Sequence, residues 1–78
     1  MEVMFYEKNG WYGTIGLSSR DNRYCANVGF EMSKFDKLEQ AKKFMQNHGY
    51  THNPKIASIS TVMPLVVRYK DGTKRQVA

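Results

Sequence analysis

The stretch that decides the fold is DKLEQAKKFMQNHG, residues 36–49. It is the one segment that we predict to be helical. Asp36 and Glu39 have the spacing of a capping box, and acids in a first turn also suit the helix dipole. Gly49 suits the left-handed position that ends a helix. One apolar face is formed by Leu38, Ala41, Phe44, Met45 and His48. A lone helix of this length is marginal in water, so this face predicts burial against a sheet.

The rest of the chain is typical of strands and turns. We predict strands at residues 2–8, 11–17, 24–32, 56–63, 65–70 and 73–78, and a loop at 50–55. Asn9-Gly10 and Asp71-Gly72 are both typical of two-residue type I′ hairpin turns. Pro64 indicates a bulge, a turn or an edge position. The βββαββ order predicts a single α+β domain over residues 1–78. It would be an antiparallel sheet of five or six strands with one helix packed across one face.

Alternation of side chains predicts which residues are buried. In the first hairpin, a two-residue turn pairs Lys8 with Trp11, and we expect Tyr6 and Trp11 to be core residues. Tyr12 is the best candidate for an exposed aromatic side chain. The third strand is expected to turn Tyr24, Ala26, Val28, Phe30 and Met32 toward the helix. We therefore predict that Leu38, Ala41 and Met45 face Val28 and Phe30.

Charge and composition restrict the partner and the location. The formal net charge is +5 and the pI is about 9.5, which suits nucleic acid, an acidic protein surface or anionic lipid. Cys25 is the single cysteine, so an intramolecular disulfide is excluded and a reducing compartment is favoured. We see neither a signal-peptide pattern nor an apolar run of the ~20 residues needed to span a bilayer. We expect a cytoplasmic protein of a bacterial host, without a membrane partner.

The sharpest functional feature is the basic end of the chain. Residues 68–75 contain Arg68, Lys70, Lys74 and Arg75, and with Tyr12 these are the predicted partner-binding residues. A two-residue turn would place Arg68 opposite Arg75, with Lys70 on the same face. Like charges directly opposite are unfavourable unless something negative covers them. The pattern indicates a contact site for phosphate or carboxylate groups, or an exposed edge whose charges prevent aggregation.

A second basic patch is predicted on the outer side of the helix. It consists of Lys37, Lys42 and Lys43. Here a solvated helix face is the favoured interpretation.

No constellation in the sequence is typical of catalysis or metal binding. His48 and His52 lie near the helix end, but a structural zinc site would need more cysteines than distant Cys25. We find no nucleophile–histidine–acid pattern, and no glycine-rich phosphate loop before a helix. We therefore predict no metal, no cofactor and no enzyme activity.

Residues 2–49 resemble the arm-type DNA-binding domains of tyrosine recombinases. The resemblance is carried by aromatic strands followed by FDKLEQAKKF at residues 35–44. It implies a three-stranded sheet that lies in a DNA groove and is backed by one helix. The segment from Ile56 onward departs from that pattern.

Residues 36–78 resemble small phage-encoded anti-CRISPR proteins of the type I class. The matching segments are LEQAK at 38–42, IASI at 56–59 and LVVRYKDGTKRQV at 65–77. The resemblance implies a helix on an antiparallel sheet and a non-catalytic inhibitor that binds a CRISPR surveillance complex. Since this chain is basic, it would contact an acidic patch, the guide or the target instead of mimicking DNA. We expect such an inhibitor, whose partner is a host protein or ribonucleoprotein; the alternative is a direct DNA- or RNA-binding module.

Overall fold

The computed structural model describes residues 3–29, 31–60 and 65–77. These residues form one helix and eight strands. They are β1 (Met4–Lys8), β2 (Trp11–Leu17), β3 (Tyr24–Val28), β4 (Glu31–Phe35), α1 (Leu38–Asn47), β5 (Thr51–His52), β6 (Ile56–Ile59), β7 (Leu65–Tyr69) and β8 (Lys74–Val77). Pro64, where a bulge, turn or edge was predicted, lies outside the described residues.

The strands form two antiparallel sheets in place of the single predicted sheet. The first sheet has the order β4-β3-β2-β1-β5 and the second has the order β6-β7-β8. An α+β fold with antiparallel strands is therefore confirmed. The predicted βββαββ order is wrong, because the described chain has four strands before the helix and four after it.

The fourth strand was missed because the apolar–polar alternation of the sequence continues through the turn between β3 and β4, although the turn inverts which residues face the helix. Gly29 takes a φ of 58°, and Val28 pairs with Glu31, so the chain reverses between β3 and β4. The predicted strand over 24–32 is thus two strands. Met32 pairs with Asn27 on the face away from the helix and is 58% exposed, so its predicted burial is wrong. Phe30, predicted to face the helix, lies outside the described residues.

The first hairpin has the predicted register. Lys8 pairs with Trp11 and Met4 with Ile15. Asn9 and Gly10 have φ values of 46° and 87°, so both central residues of the turn are left-handed, as a type I′ turn requires.

The helix begins later than predicted. Its N-cap is Lys37, whose backbone N–H donates to the Gln40 side-chain oxygen over 3.2 Å. Asp36 is not the cap. Its carboxylate instead accepts a hydrogen bond from Arg23 Nε at 3.0 Å, which holds the chain at the end of β4. Glu39 is an acid in the first turn, where the dipole favours it.

The helix ends in a Schellman motif, and Gly49 takes the left-handed position that was predicted to end it. Gly49 has a φ of 81°, and its N–H donates to the Gln46 carbonyl over 2.9 Å. The Tyr50 N–H donates to the Met45 carbonyl over 3.0 Å. Tyr50 then packs against the core, which fixes the direction in which the chain leaves the helix.

The main core lies between α1 and the first sheet. Its buried members are Tyr6, Ile15, Ala26, Val28, Ala41 and Met45, and Leu38 and Phe44 are partly buried against them. The Met45 side chain of the helix lies directly over Gly13. A Cβ atom there would lie 2.7 Å from Met45 Cε and 2.6 Å from the Asn27 carbonyl oxygen, so only glycine fits.

The second sheet lies against the face of the first sheet that points away from the helix. Tyr12 and Thr14 are on that face, and they line a cleft with Ile59 and Leu65 of the second sheet. Val67 of β7 is fully buried, on the face of the second sheet that points toward the first sheet. The molecule therefore has the helix on one side of the first sheet and the second sheet on the other. Among the described residues, no helix has the length and apolar character needed to cross a bilayer.

Candidate functional site

The second hairpin turns through three residues, not two. The Tyr69 N–H donates to the Thr73 carbonyl at 2.9 Å, and the Gly72 N–H donates to the Tyr69 carbonyl at 3.0 Å. Gly72 has a φ of 93°, whereas Asp71 is not among the left-handed residues. This is a type I turn closed by a left-handed glycine, so the loop is Lys70-Asp71-Gly72.

Asp71 favours this turn through its side chain. Its carboxylate accepts hydrogen bonds from the Thr73 N–H at 2.9 Å and the Thr73 hydroxyl at 2.6 Å. These two donors lower the pKa of Asp71 below its ordinary value. Hydrogen bonds from Thr73 to the Asp71 side chain thus stabilise this three-residue turn in preference to a two-residue type I′ turn.

The extra loop residue changes the register of the predicted site. Arg68 pairs with Lys74, and Val67 pairs with Arg75. The predicted opposition of Arg68 and Arg75 is therefore wrong, and Arg75 does not share a face with Arg68. A shift of one residue moves every side chain of β8 to the other face of the sheet.

The outer face of the second sheet carries a row of polar side chains. Ser58 pairs with Arg68, and Arg68 pairs with Lys74, so the three lie side by side across β6, β7 and β8. Gln76 follows on the same face of β8, and all four residues are exposed. We call Ser58, Arg68, Lys74 and Gln76 the outer basic face.

The two cations of the outer basic face, Arg68 and Lys74, form no ion pair with an acid among the described residues. The ion pairs among the described residues are Arg23–Asp36, Lys34–Asp21 and His48–Glu31, all belonging to the first sheet and the helix end. Lys34 lowers the pKa of Asp21 to about 2. Arg68 and Lys74 are thus neighbouring like charges, an arrangement that is unfavourable in the isolated chain.

Arg75 instead points toward the first sheet, although it remains exposed. It lies with Tyr12 and Lys8 at an open cleft of about 630 Å³ between the two sheets. Burial raises the pKa of Tyr12, the neighbouring Tyr69 hydroxyl raises it further, and Arg75 opposes this shift. Lys8 is occupied there, since its Nζ donates to the His48 carbonyl over 2.9 Å.

The aromatic side chains of the first hairpin differ in part from the prediction. Tyr6 is 5% exposed, so its place in the core is confirmed. Trp11 was expected in the core but is 60% exposed. Tyr12 was expected to be exposed but is half-buried under the second sheet. Tyr12 is half-buried because the second sheet covers its face of the first hairpin, the face away from the helix.

Lys70 lies at the tip of the second hairpin. Its backbone N–H donates to the Lys55 carbonyl over 2.8 Å, which brings two exposed lysines together. Sequence reasoning missed Lys55 and Ser58, because only the packing of two distant turns and the β6–β7 register place them beside the predicted residues.

The helix lysines lie on the opposite side of the molecule. Lys42 and Lys43 are exposed on α1, and Lys37 is the helix N-cap. Because α1 and the second sheet cover opposite faces of the first sheet, this patch is separate from the outer basic face.

The two histidines are engaged in local contacts. The ring nitrogens of His48 lie 2.9 Å from the Phe44 carbonyl and 3.1 Å from a Glu31 carboxylate oxygen. The His52 ring packs against Tyr6 with a centroid distance of 5.3 Å. Within residues 3–29, 31–60 and 65–77, no three His, Cys, Asp or Glu side chains come together as metal ligands would.

Comparison with protein-family models, curated proteins and solved structures finds no match to this chain. The resemblances to recombinase arm domains and to anti-CRISPR proteins therefore stay predictions.

Proposed function

We propose that this protein is a non-catalytic, phage-type inhibitor that binds a nucleic-acid-handling defence complex, such as a CRISPR surveillance complex. The outer basic face is its contact surface. One observation carries the proposal: Arg68 and Lys74 are directly opposed and exposed, and no described acid forms an ion pair with either. An anionic partner laid over both would turn an unfavourable pair into charge-assisted contacts.

The class of partner is suggested by charge and by the resemblance of residues 36–78. A chain with a net charge of +5 does not imitate DNA, so it would contact an acidic protein surface or the nucleic acid within the complex. Clustered charges of one sign also raise the rate of association with a complementary surface.

Direct binding to DNA or RNA is the second candidate. It is favoured by the chemistry of the outer basic face, where a hydroxyl, a guanidinium and an ammonium group form one row. Phosphate contacts are made mostly by such donors and carry no sequence information. Binding of this kind weakens steeply as salt is added.

Affinity capture from a bacterial lysate tests the first candidate. The wild-type chain is compared with the double variant Arg68→Ser/Lys74→Ser and with Lys42→Ser/Lys43→Ser, which removes the same charge from the helix. We expect the wild type and the helix variant to capture a complex that survives nuclease treatment, and the hairpin variant to lose it. We also expect the two chains that capture the complex to inhibit a purified surveillance complex.

Three results separate the candidates. Capture that disappears after nuclease treatment, with salt-sensitive binding to a bare duplex, would favour direct nucleic-acid binding. Full capture by Arg68→Ser/Lys74→Ser would remove the outer basic face from the proposal. Loss of capture with the helix variant would move the site to α1. The melting temperature should stay the same or rise slightly in the hairpin variant, because exposed charges contribute little and a like-charge repulsion is removed.

A further inference from the structure

A cleft at the tip of the second hairpin is not used by the proposed contact surface. We call it the turn cleft. It has a volume of about 510 Å³ and is lined by Pro54, Lys55, Tyr69, Lys70, Asp71 and Thr73. This size lies within the range of sites that bind small molecules.

One wall of the turn cleft is a rigid turn before β6. The Lys55 N–H donates to the Asn53 side-chain oxygen over 3.0 Å, and the Ile56 N–H donates to the Asn53 carbonyl over 3.4 Å. The Asn53 side chain also donates to Glu7 of β1 over 3.2 Å. With Pro54 inside it, this turn is fixed both internally and to the first sheet.

The opposite wall is the three-residue loop of the second hairpin. The Lys70 N–H donates to the Lys55 carbonyl over 2.8 Å, so the two turns are bonded to each other. The walls of the cleft are thus held by backbone hydrogen bonds, and a ligand would meet a largely formed site. Preorganisation of this kind reduces the entropy that binding costs.

The charged lining favours an anion. Lys55 and Lys70 are exposed, and neither belongs to an ion pair among the described residues. The one acid in the lining, Asp71, accepts two hydrogen bonds from Thr73 at 2.9 and 2.6 Å, and the nearby charge of Lys55 contributes to its lowered pKa. The lining therefore keeps a formal excess of positive charge, from two lysines and one aspartate.

The uncharged lining favours a flat ring. Tyr69 is half-buried and Pro54 is exposed, and both border the cleft. An aromatic face beside lysines is the combination that proteins use to stack a base while a cation holds its phosphate.

We propose that the turn cleft binds a nucleotide, with the base against Tyr69 and Pro54 and the phosphate on Lys55 and Lys70. The nucleotide is either a free molecule or one unit of a single strand, since both present the same base and phosphate. The proposal does not depend on Arg68 or Lys74, so it goes beyond the function assigned to the outer basic face.

An NMR titration of the ¹⁵N-labelled chain tests this assignment. Adenosine 5′-monophosphate, inorganic phosphate, adenosine and a deoxyadenosine decanucleotide are added separately, and the backbone amides of residues 55 and 69–73 are followed. The monophosphate should shift these amides and bind at least about tenfold more tightly than phosphate or adenosine alone. A decanucleotide that binds more tightly at the same amides identifies a strand as the source; equal affinity identifies the free nucleotide.

Variants separate the two halves of the site. Lys55→Ser/Lys70→Ser should weaken monophosphate binding about tenfold or more, while Lys42→Ser/Lys43→Ser, with the same charge change, should not. Tyr69→Phe keeps the ring and should bind like the wild type, and Tyr69→Leu should lose the preference for the monophosphate over phosphate.

Three outcomes would overturn the assignment. They are unshifted amides at millimolar monophosphate, equal affinity for phosphate and monophosphate, or equal binding by Tyr69→Leu and Tyr69→Phe in folded protein. None of them bears on capture of the defence complex, which is measured with Arg68 and Lys74 variants.

Discussion

The chain builds two hairpins from the same kind of dipeptide, and the two turns differ. At Asn9-Gly10 both residues are left-handed, with φ values of 46° and 87°, and the loop has two residues. At Asp71-Gly72 only the glycine is left-handed, and Lys70 joins the loop. The difference lies in the following residue. Thr73 donates to Asp71 through a side-chain hydroxyl as well as its N–H, whereas Trp11 has no hydroxyl group next to its backbone.

This difference decides which arginine belongs to the candidate site. A two-residue turn would have placed Arg75 beside Arg68. The three-residue turn places Lys74 there and sends Arg75 toward Tyr12. The number of residues in this loop therefore decides which side chains form the outer basic face.

The two hairpins also differ in which element packs against them. The largest predicted loss of stability comes from removing a side chain that packs on the first hairpin. The first hairpin packs under the helix, where Met45 is fully buried over Gly13. Met45→Ala should lower the free energy of unfolding by about 2–5 kcal/mol, because it leaves a cavity in a small core. Urea denaturation measures this loss. An unchanged midpoint would contradict the packing of α1 against the first sheet.

Alanine at the two turn glycines should produce a smaller and equal effect. Gly10 and Gly72 have φ values of 87° and 93°, and a Cβ atom at either would meet nothing within 4 Å. Gly10→Ala and Gly72→Ala should therefore each cost about 1–2 kcal/mol, from backbone conformation alone. Thermal and urea unfolding of the two variants provide the comparison. A neutral Gly72→Ala would show that the second turn does not hold its glycine in the left-handed region.

The smallest expected effect is the pH dependence of the second turn. The pKa of Asp71 is lowered from 3.8 by its hydrogen bonds to Thr73, so the ionised form stabilises the fold. This contribution should be complete above pH 3.8 and should be lost as the pH falls through the lower folded value. Asp71→Asn should thus lower the melting temperature slightly at neutral pH and leave it unchanged at the acid end of the titration. If the melting temperatures of the wild type and Asp71→Asn still differ at the acid end, the effect of the substitution does not come from the charge of Asp71.

Much of the first hairpin and the helix could be predicted from local signals. Asn9-Gly10 and Gly49 each need a left-handed conformation, and the structure has it at all three residues. The apolar spacing also predicted burial of Ala41 and Met45. These features depend on residues close together in the chain, which a sequence displays directly.

The remaining features depend on contacts that local patterns do not display. The apolar–polar alternation of residues 24–32 continues in the sequence through the reversal at Gly29, so two strands were read as one, although the reversal inverts which residues face the helix. The second sheet covers Tyr12, while Trp11 stays exposed, and nothing in the first hairpin indicates this. Of the residues predicted for the site, Arg68 and Lys74 lie side by side, but Ser58 was not predicted and the predicted register was wrong, because the loop of the second hairpin has three residues and not two.

The most direct test of the account compares Lys74→Ser with Arg75→Ser on a heparin column. Both variants lose one positive charge from adjacent residues of β8, so any difference reflects the face on which that charge lies. We expect Lys74→Ser to elute at a clearly lower salt concentration than Arg75→Ser, which should elute closer to the wild type. Equal elution of the two variants, or earlier elution of Arg75→Ser, would contradict the outer basic face as the polyanion-binding surface.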